Sequence, residues 1–155
     1  MKTVVNSSLI YIEKDGKYLM LHRVKKENDI NKDKWLGVGG KFEFGESPQE
    51  CALREAKEET GFTLNSLYYR GIVTFVYGDI TEYMHLFTSD SFEGVLKECD
   101  EGDFEWIDKT KVYDLPIWQG DKIFLKLIED KSTPFFSLKL VYDGDTLIHH
   151  LLSLY

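Results

Sequence analysis

The most informative segment of the sequence is GKFEFGE at residues 40–46, followed after seven residues by REAKEETGF at residues 54–62. Within the second segment, Glu55, Glu58 and Glu59 are spaced at i, i+3 and i+4. Side chains at this spacing share one face of an α-helix. The sequence therefore predicts a helix that carries three carboxylates side by side.

Residues that start and stop helices frame this acidic segment. Ser47 is a good N-cap, Pro48 suits the first helical position, and Glu50 can complete a capping box with the serine. Gly61 can adopt the left-handed conformation that often ends a helix. We therefore expect the helix to run from Pro48 to about Thr60.

The three carboxylates indicate a metal site. Like charges on one helix face repel each other, and a hard divalent cation is the simplest compensation. Oxygen ligands alone favour Mg²⁺, with Mn²⁺ as the alternative. Arg54 lies four residues before Glu58 and can orient a carboxylate through two parallel hydrogen bonds. A solvated acidic helix is the other interpretation, and Gly40, Glu46 and Gly61 at fixed offsets argue against it.

The segments around this helix alternate between strands and turns. Runs of β-branched and aliphatic residues predict strands at 4–13, 17–24, 64–77, 80–90, 104–107, 135–142 and 146–154. The glycine-rich run 35–41 is expected to be a strand or a turn, and 25–34 and 91–103 are expected to be loops. Apolar residues at helical spacing predict a second helix at 121–129. This order indicates an α/β or α+β fold with helices layered on a mixed sheet.

Length and charge narrow the class of function. The 155 residues suit one domain, residues 1–155, and no apolar run approaches the roughly 18–20 residues of a membrane span. No signal peptide is evident at the N-terminus, so a cytoplasmic location is expected. The net charge of −8 argues against a nucleic-acid partner, because such binding depends on Lys and Arg. A nucleotide remains compatible with this charge if divalent cations bind first.

The acidic segment resembles the Nudix box, in which a glycine, a glutamate and an Arg-Glu-apolar-x-Glu-Glu-x-Gly-apolar run follow at fixed distances. Every fixed position of that pattern matches: Gly40, Glu46, Arg54, Glu55, Glu58, Glu59 and Gly61. Ala56 stands where a larger aliphatic residue is usual. The resemblance implies a Nudix α/β/α sandwich around a mixed sheet, and hydrolysis of a nucleoside diphosphate linked to another moiety.

The same resemblance assigns roles to individual residues. The Mg²⁺ ligands that it implies are three carboxylates and one backbone carbonyl: Glu55, Glu58, Glu59 and Gly39. Glu46 and Arg54 are implied to support the catalytic loop–helix–loop. A further acid from a later loop is expected to complete the site, with Glu101 as the first choice and Glu98 as the alternative.

Residues beyond the box resemble the MutT-like branch of this family, which acts on oxidised purine nucleoside triphosphates. The similar stretches cover most of the chain: 35–41, 83–90, 104–106, 117–121 and the C-terminal hairpin. The resemblance places Trp118 where a tryptophan stacks on the purine, and Asp121 at one of two acids that recognise its edge. A core tryptophan and a helix N-terminal acid are the structural alternatives.

Two positions depart from that branch. Gly120 stands where the first acid is expected, and Leu36 replaces an asparagine that contacts the base. Each departure removes a polar contact, and a buried polar edge left unpaired costs about 1–3 kcal/mol. Arg23 at the end of a strand and Lys41 beside the box are candidate phosphate contacts, and a solvated lysine is the alternative for Lys41.

The sequence is compatible with three functions. The favoured one is a Mg²⁺-dependent pyrophosphohydrolase that cleaves (deoxy)nucleoside triphosphates to monophosphate and pyrophosphate, with 8-oxo-dGTP in the favoured subclass. The alternative is hydrolysis of a dinucleoside polyphosphate, ADP-ribose or a sugar nucleotide. A nucleotide-sensing protein without turnover is less favoured, because the box is intact. A monomer is expected, and a dimer is also compatible with the sequence.

Overall fold

Eleven strands, two α-helices and one 3₁₀ turn make up the computed structural model, which describes residues 1–155. In chain order they are β1 (Thr3–Lys14), β2 (Lys17–His22), β3 (Trp35–Leu36), β4 (Val38–Lys41), α1 (Pro48–Thr60), β5 (Thr63–Leu64), β6 (Tyr68–Tyr77), β7 (Ile80–Ser89), β8 (Phe92–Glu93), β9 (Asp103–Asp108), the 3₁₀ turn (Val112–Asp114), α2 (Asp121–Glu129), β10 (Phe136–Asp143) and β11 (Thr146–Leu154). Neither helix is long and apolar enough to cross a membrane.

Nine of the strands form one mixed sheet in the order β11-β10-β6-β7-β1-β2-β3, with β4 paired to β1 and β9 paired to β2. The pairs β1–β7 and β6–β10 are parallel, and the other pairs in this sheet are antiparallel. β5 and β8 form a separate two-stranded sheet. The predicted mixed sheet is confirmed.

The two helices lie on opposite faces of the sheet. Successive side chains of a strand point to opposite faces, and β1 follows this rule: Tyr11 belongs to the hydrophobic cluster that includes α2, whereas Ile10 and Ile12 belong to the cluster that includes α1. Phe124 on α2 is fully buried, and burying a side chain of this size stabilises the fold by about 1.5–3 kcal/mol. The chain thus has the expected α/β/α layers.

Small side chains bring α1 close to the sheet. Cys51, Ala52 and Ala56 are fully buried. The capping box also forms as expected: the Ser47 hydroxyl accepts a hydrogen bond from the Glu50 N–H at 3.1 Å, and the Glu50 carboxylate accepts one from the Ser47 N–H at 3.0 Å. Local sequence therefore fixes where α1 begins and which face it turns to the sheet.

The structure differs from the expected strands in two places. The predicted strand 64–77 is interrupted at Asn65–Leu67, because the N–H groups of Asn65 and Ser66 donate to the Ser91 carbonyl instead of continuing a ladder. The expected loop 91–103 contains the short strand β8 for the same reason, since this part of the chain returns to pair with β5. Both differences come from contacts distant in sequence.

A glycine pair tests how tightly the end of α1 is packed. Gly61 (φ 84°) and Gly45 (φ 79°) both have left-handed conformations, but a Cβ at Gly61 would lie 2.6 Å from the Val95 carbonyl oxygen, whereas one at Gly45 would meet nothing within 4 Å. Gly45→Ala should cost about 1–2 kcal/mol of backbone strain. Gly61→Ala should cost about 1–3 kcal/mol more because of the added overlap. Urea denaturation of both variants measures the difference, and equal losses would contradict the packing described.

Candidate active site

A cavity of about 670 Å³ lies between α1, the edge of β4 and the turn before α2. This volume falls within the range of small-molecule sites in proteins. Its walls bring together residues that are far apart in the sequence, from β1, β4, α1, β6, β7 and α2. The carboxylates of α1 belong to this lining together with apolar and aromatic side chains and one buried acid, Asp121.

Two glycines of β4 allow close approach, Gly40 to the Glu55 carboxylate of α1 and Gly39 to the backbone of the neighbouring strand β1. A Cβ on Gly40 would lie 2.4 Å from the carboxyl carbon of Glu55, and one on Gly39 would lie 2.0 Å from the Ser8 carbonyl oxygen. The Gly39 N–H donates to the Glu59 carboxylate at 2.9 Å. These glycines are therefore required by close approach, and the strand edge and the helix form one continuous wall.

Arg54 connects the loop before α1 to the acidic face of the helix. Its guanidinium donates two hydrogen bonds to the Glu46 carboxylate, at 2.6 and 2.8 Å, and one to the Lys41 carbonyl at 3.1 Å. It also donates to Glu55 at 2.7 Å and to Glu58 at 3.1 Å. The supporting roles predicted for Arg54 and Glu46 thus have a geometric basis.

The Arg54–Glu46 pair is also strongly favoured by charge. The hydrogen bonds from Arg54, followed by one from the Glu43 N–H, lower the pKa of Glu46 to about 2. Bidentate pairs of this kind combine charge attraction with a fixed planar geometry. Because Arg54 is already occupied by carboxylates, it orients the acidic face and is not a free cation for phosphate.

Glu59 is the most perturbed acid of α1. Burial, together with the negative charges of Glu101 and Glu55, raises its pKa to about 8, although the Gly39 N–H acts in the opposite direction. Burial also raises the pKa of Glu55. Carboxylates that are crowded and partly dehydrated gain most from a bound cation. This donor set fits Mg²⁺, because hard oxygen ligands favour it.

The structure distinguishes the two later acids that were candidates for the site. Glu101 lines the cavity, and a ligand atom of Glu101 lies within 4.8 Å of those of Glu59 and Cys99. Glu98 is exposed and does not line the cavity. The first choice, Glu101, is therefore the acid that the fold brings to α1, and the alternative, Glu98, is not.

Arg23 and Lys41 both line the cavity but differ in their pairing. Arg23 forms ion pairs with Asp29 at 2.8 Å and with Glu101 at 2.7 Å. Lys41 is exposed and has no carboxylate within ion-pair distance. Lys41 is thus the freer of the two predicted phosphate contacts, whereas Arg23 holds Glu101 against the loop between β2 and β3.

Trp118 and Asp121 also line the cavity, and they are only 3% and 4% exposed. The Trp118 indole packs edge-on against Phe75 and Tyr142, and the Lys34 amine lies 4.2 Å from its ring centroid. Trp118 is therefore both a core residue and part of the cavity wall.

Asp121 is a buried acid that faces this cavity. Burial raises its pKa to about 8, with Lys34 acting in the opposite direction, and no hydrogen bond contributes to the shift. The carboxyl group is therefore largely protonated near neutral pH and can both donate and accept a hydrogen bond. Leu36 also lines the cavity.

Several residues of the cavity were not predicted from the sequence. They are contributed by strands and loops outside the acidic segment, namely Asn31, Phe75, Glu82 and Met84. Cys99 does not line the cavity, but its thiol lies 4.0 Å from the carboxylate of Glu59, which does. No local pattern marks these positions, because the sheet order alone brings them to the cavity.

Comparisons with known proteins agree with this geometry. A family model described as the NUDIX domain matches residues 2–128. The oxidized purine nucleoside triphosphate hydrolase of Danio rerio is 30% identical over 148 residues, which cover 94% of this chain and 92% of that protein. The ADP-ribose pyrophosphatase of Bacillus subtilis (strain 168) is 28% identical over 144 residues, covering 90% of this chain and 66% of that protein. The crystal structure of a mutator MutT protein from Bacillus halodurans has a TM-score of 0.80 at 26% identity, covering 96% of this chain and 97% of that chain.

The raised pKa of Glu59 predicts how stability depends on pH without metal. Between its ordinary value of 4.5 and about 8, the folded chain keeps a proton that the unfolded chain has released, so the free energy of unfolding should fall as pH rises through this window. Glu59→Gln removes this contribution to the pH dependence of stability, whereas the contribution of Asp121 is the same in the wild type and the variant. Urea denaturation in EDTA at pH 5, 6.5 and 8 should therefore show a shallower fall for the variant. Parallel pH dependence would refute the assigned environment of Glu59.

Proposed function

Because the chain belongs to the Nudix family, we propose that it is a Mg²⁺-dependent pyrophosphohydrolase of (deoxy)nucleoside triphosphates. The observation that carries the proposal is a single cavity that is lined both by the carboxylates of α1 and by Trp118, Leu36, Phe75 and Asp121. A nucleoside triphosphate has the matching polarity, with polyphosphate at one end and an aromatic base at the other.

The acidic end supplies the groups that would hold Mg²⁺. They are Glu55, Glu58, Glu59 and Glu101, together with the backbone carbonyl of Gly39. A bound cation neutralises phosphate charge and lowers the pKa of a water that attacks phosphorus. Arg54 keeps Glu55 and Glu58 on one side of the cavity, and Lys41 is placed to contact a phosphate oxygen.

The opposite end of the cavity supplies contacts for a purine. Trp118, Leu36 and Phe75 offer aromatic and apolar surface, and Asp121 offers a hydrogen-bonding group where little water can compete. Oxidised purine triphosphates are the favoured subclass, a preference supported by the name of the Danio rerio relative. Neither Leu36 nor Gly120 can offer a polar side chain to the base, so recognition of the base must depend on other groups.

A second candidate function is hydrolysis of an ADP-linked compound such as ADP-ribose. The relative named ADP-ribose pyrophosphatase favours it, although this chain covers only 66% of that protein. Such a substrate would place its adenine in the same pocket and its diphosphate against α1. The two candidates differ in the released products, so they can be separated directly.

A hydrolysis screen with product analysis tests the proposal. Purified protein with Mg²⁺ is given dGTP, 8-oxo-dGTP, dATP, dCTP, ADP-ribose and a dinucleoside tetraphosphate, and the release of pyrophosphate, orthophosphate and monophosphate is quantified. We expect pyrophosphate and monophosphate from purine triphosphates, with 8-oxo-dGTP turned over most efficiently. Efficient cleavage of ADP-ribose without hydrolysis of any triphosphate would contradict the proposal and favour the second candidate.

Glu59→Gln is the control that links turnover to the acidic end. It removes a charge beside the proposed cation while preserving the size of the side chain, so hydrolysis should be lost and the fold retained. Near-normal activity of this variant with Mg²⁺ would contradict the metal ligands proposed here. A monomeric state, a cytoplasmic location and the absence of a nucleic-acid partner stay predictions from the sequence.

A further inference from the structure

We propose that the side-chain amide of Asn31 selects the base, by donating a hydrogen bond to the 6-oxo group of a guanine-type purine. The inference rests on the proposed function and names a determinant of its specificity. Asn31 lies in the segment between β2 and β3, outside the acidic box, and its side chain lines the cavity beside Trp118.

The contact with Trp118 fixes which end of the Asn31 amide is free. The indole N–H of Trp118 donates to the Asn31 side-chain oxygen at 2.7 Å. An indole nitrogen can only donate, so the oxygen of the amide must face the tryptophan. The NH₂ group is then the free end, and neither side-chain-related hydrogen bond of Asn31 uses it. Asn31, which lines the cavity, therefore carries an oriented donor without an acceptor.

The backbone around Asn31 is held in place by further contacts. Its N–H donates to the Asp29 carboxylate at 3.0 Å, and its carbonyl accepts from the Lys34 N–H at 2.9 Å. Asp29 pairs with Arg23, which in turn pairs with Glu101 at the acidic end. A donor held in this way loses little conformational freedom when a ligand binds, which favours selective recognition.

Asp121 completes the pattern of donors and acceptors. It is buried and faces the same cavity, and burial keeps it largely protonated near neutral pH. Together the Asn31 amide and the Asp121 carboxyl offer donors to base oxygens and one acceptor to a ring N–H. A 6-oxopurine supplies both kinds of partner. Adenine would place its 6-amino donor against the Asn31 NH₂ group, leaving both unpaired.

The test replaces the donor without changing the shape of the side chain. Asn31→Asp keeps an oxygen for the Trp118 indole and exchanges the NH₂ group for an acceptor. Dissociation constants for dGMP and dAMP are measured by calorimetry in EDTA for the wild type and the variant. The wild type should prefer dGMP. Asn31→Asp should reduce that preference roughly tenfold or more, because a polar edge of the base is left unpaired.

Asn28→Asp is the matched control, because it makes the same chemical change at an exposed position of the same segment, outside the cavity. It should leave the dGMP preference unchanged. In turnover assays, Asn31→Asp should raise the KM for dGTP relative to dATP with a smaller effect on kcat. An unchanged dGMP preference in Asn31→Asp, or an equal loss in Asn28→Asp, would overturn the inference. Failure of the proposed function is distinguishable, since it would appear as a wild type that binds dGMP but hydrolyses no triphosphate.

Discussion

The bidentate ion pair between Arg54 and Glu46 is the interaction on which the rest of the site depends. It fixes the loop before α1 to the first turns of the helix, and the remaining guanidinium N–H groups hold Glu55 and Glu58. Without the positive charge of Arg54, the acids of α1 would repel each other and turn toward solvent. Charge-assisted hydrogen bonds in a fixed plane thus convert an unfavourable cluster into an ordered set of carboxylates.

The two ends of the cavity are prepared for opposite kinds of partner. At the acidic end, Glu59 is surrounded by Glu55 and Glu101, so its charge is costly until a cation binds. Burial raises the pKa of Asp121 to about 8 even though the nearby Lys34 amine acts in the opposite direction, and no other carboxylate contributes. Two carboxyl groups in one cavity therefore have different properties, because their surroundings differ. This polarity matches a molecule with a charged chain and an uncharged planar base.

Sequence reasoning identified those parts of the structure that depend on local pattern. The helix bounds, the capping box, the hairpins and the three acids of α1 all follow from spacing within a few residues. The break near Asn65 could not be predicted, since it depends on a hydrogen bond to Ser91. Likewise, Asn31 reaches the cavity and Cys99 approaches Glu59 because β2, β9 and β1 are neighbours in the sheet. The pairing of Arg23 with Asp29 and Glu101 is a further contact that composition and periodicity do not encode.

We propose that the acidic face of α1, ordered by Arg54, holds a divalent cation that faces the cavity. Anomalous diffraction from crystals grown with Mn²⁺ tests it most directly. We expect an anomalous peak between α1 and β4, within coordination distance of Glu55, Glu58 or Glu59 and of the Gly39 carbonyl. The peak should be absent from crystals of Glu59→Gln grown in the same way. A strong peak elsewhere on the protein, with none beside α1, would contradict the account.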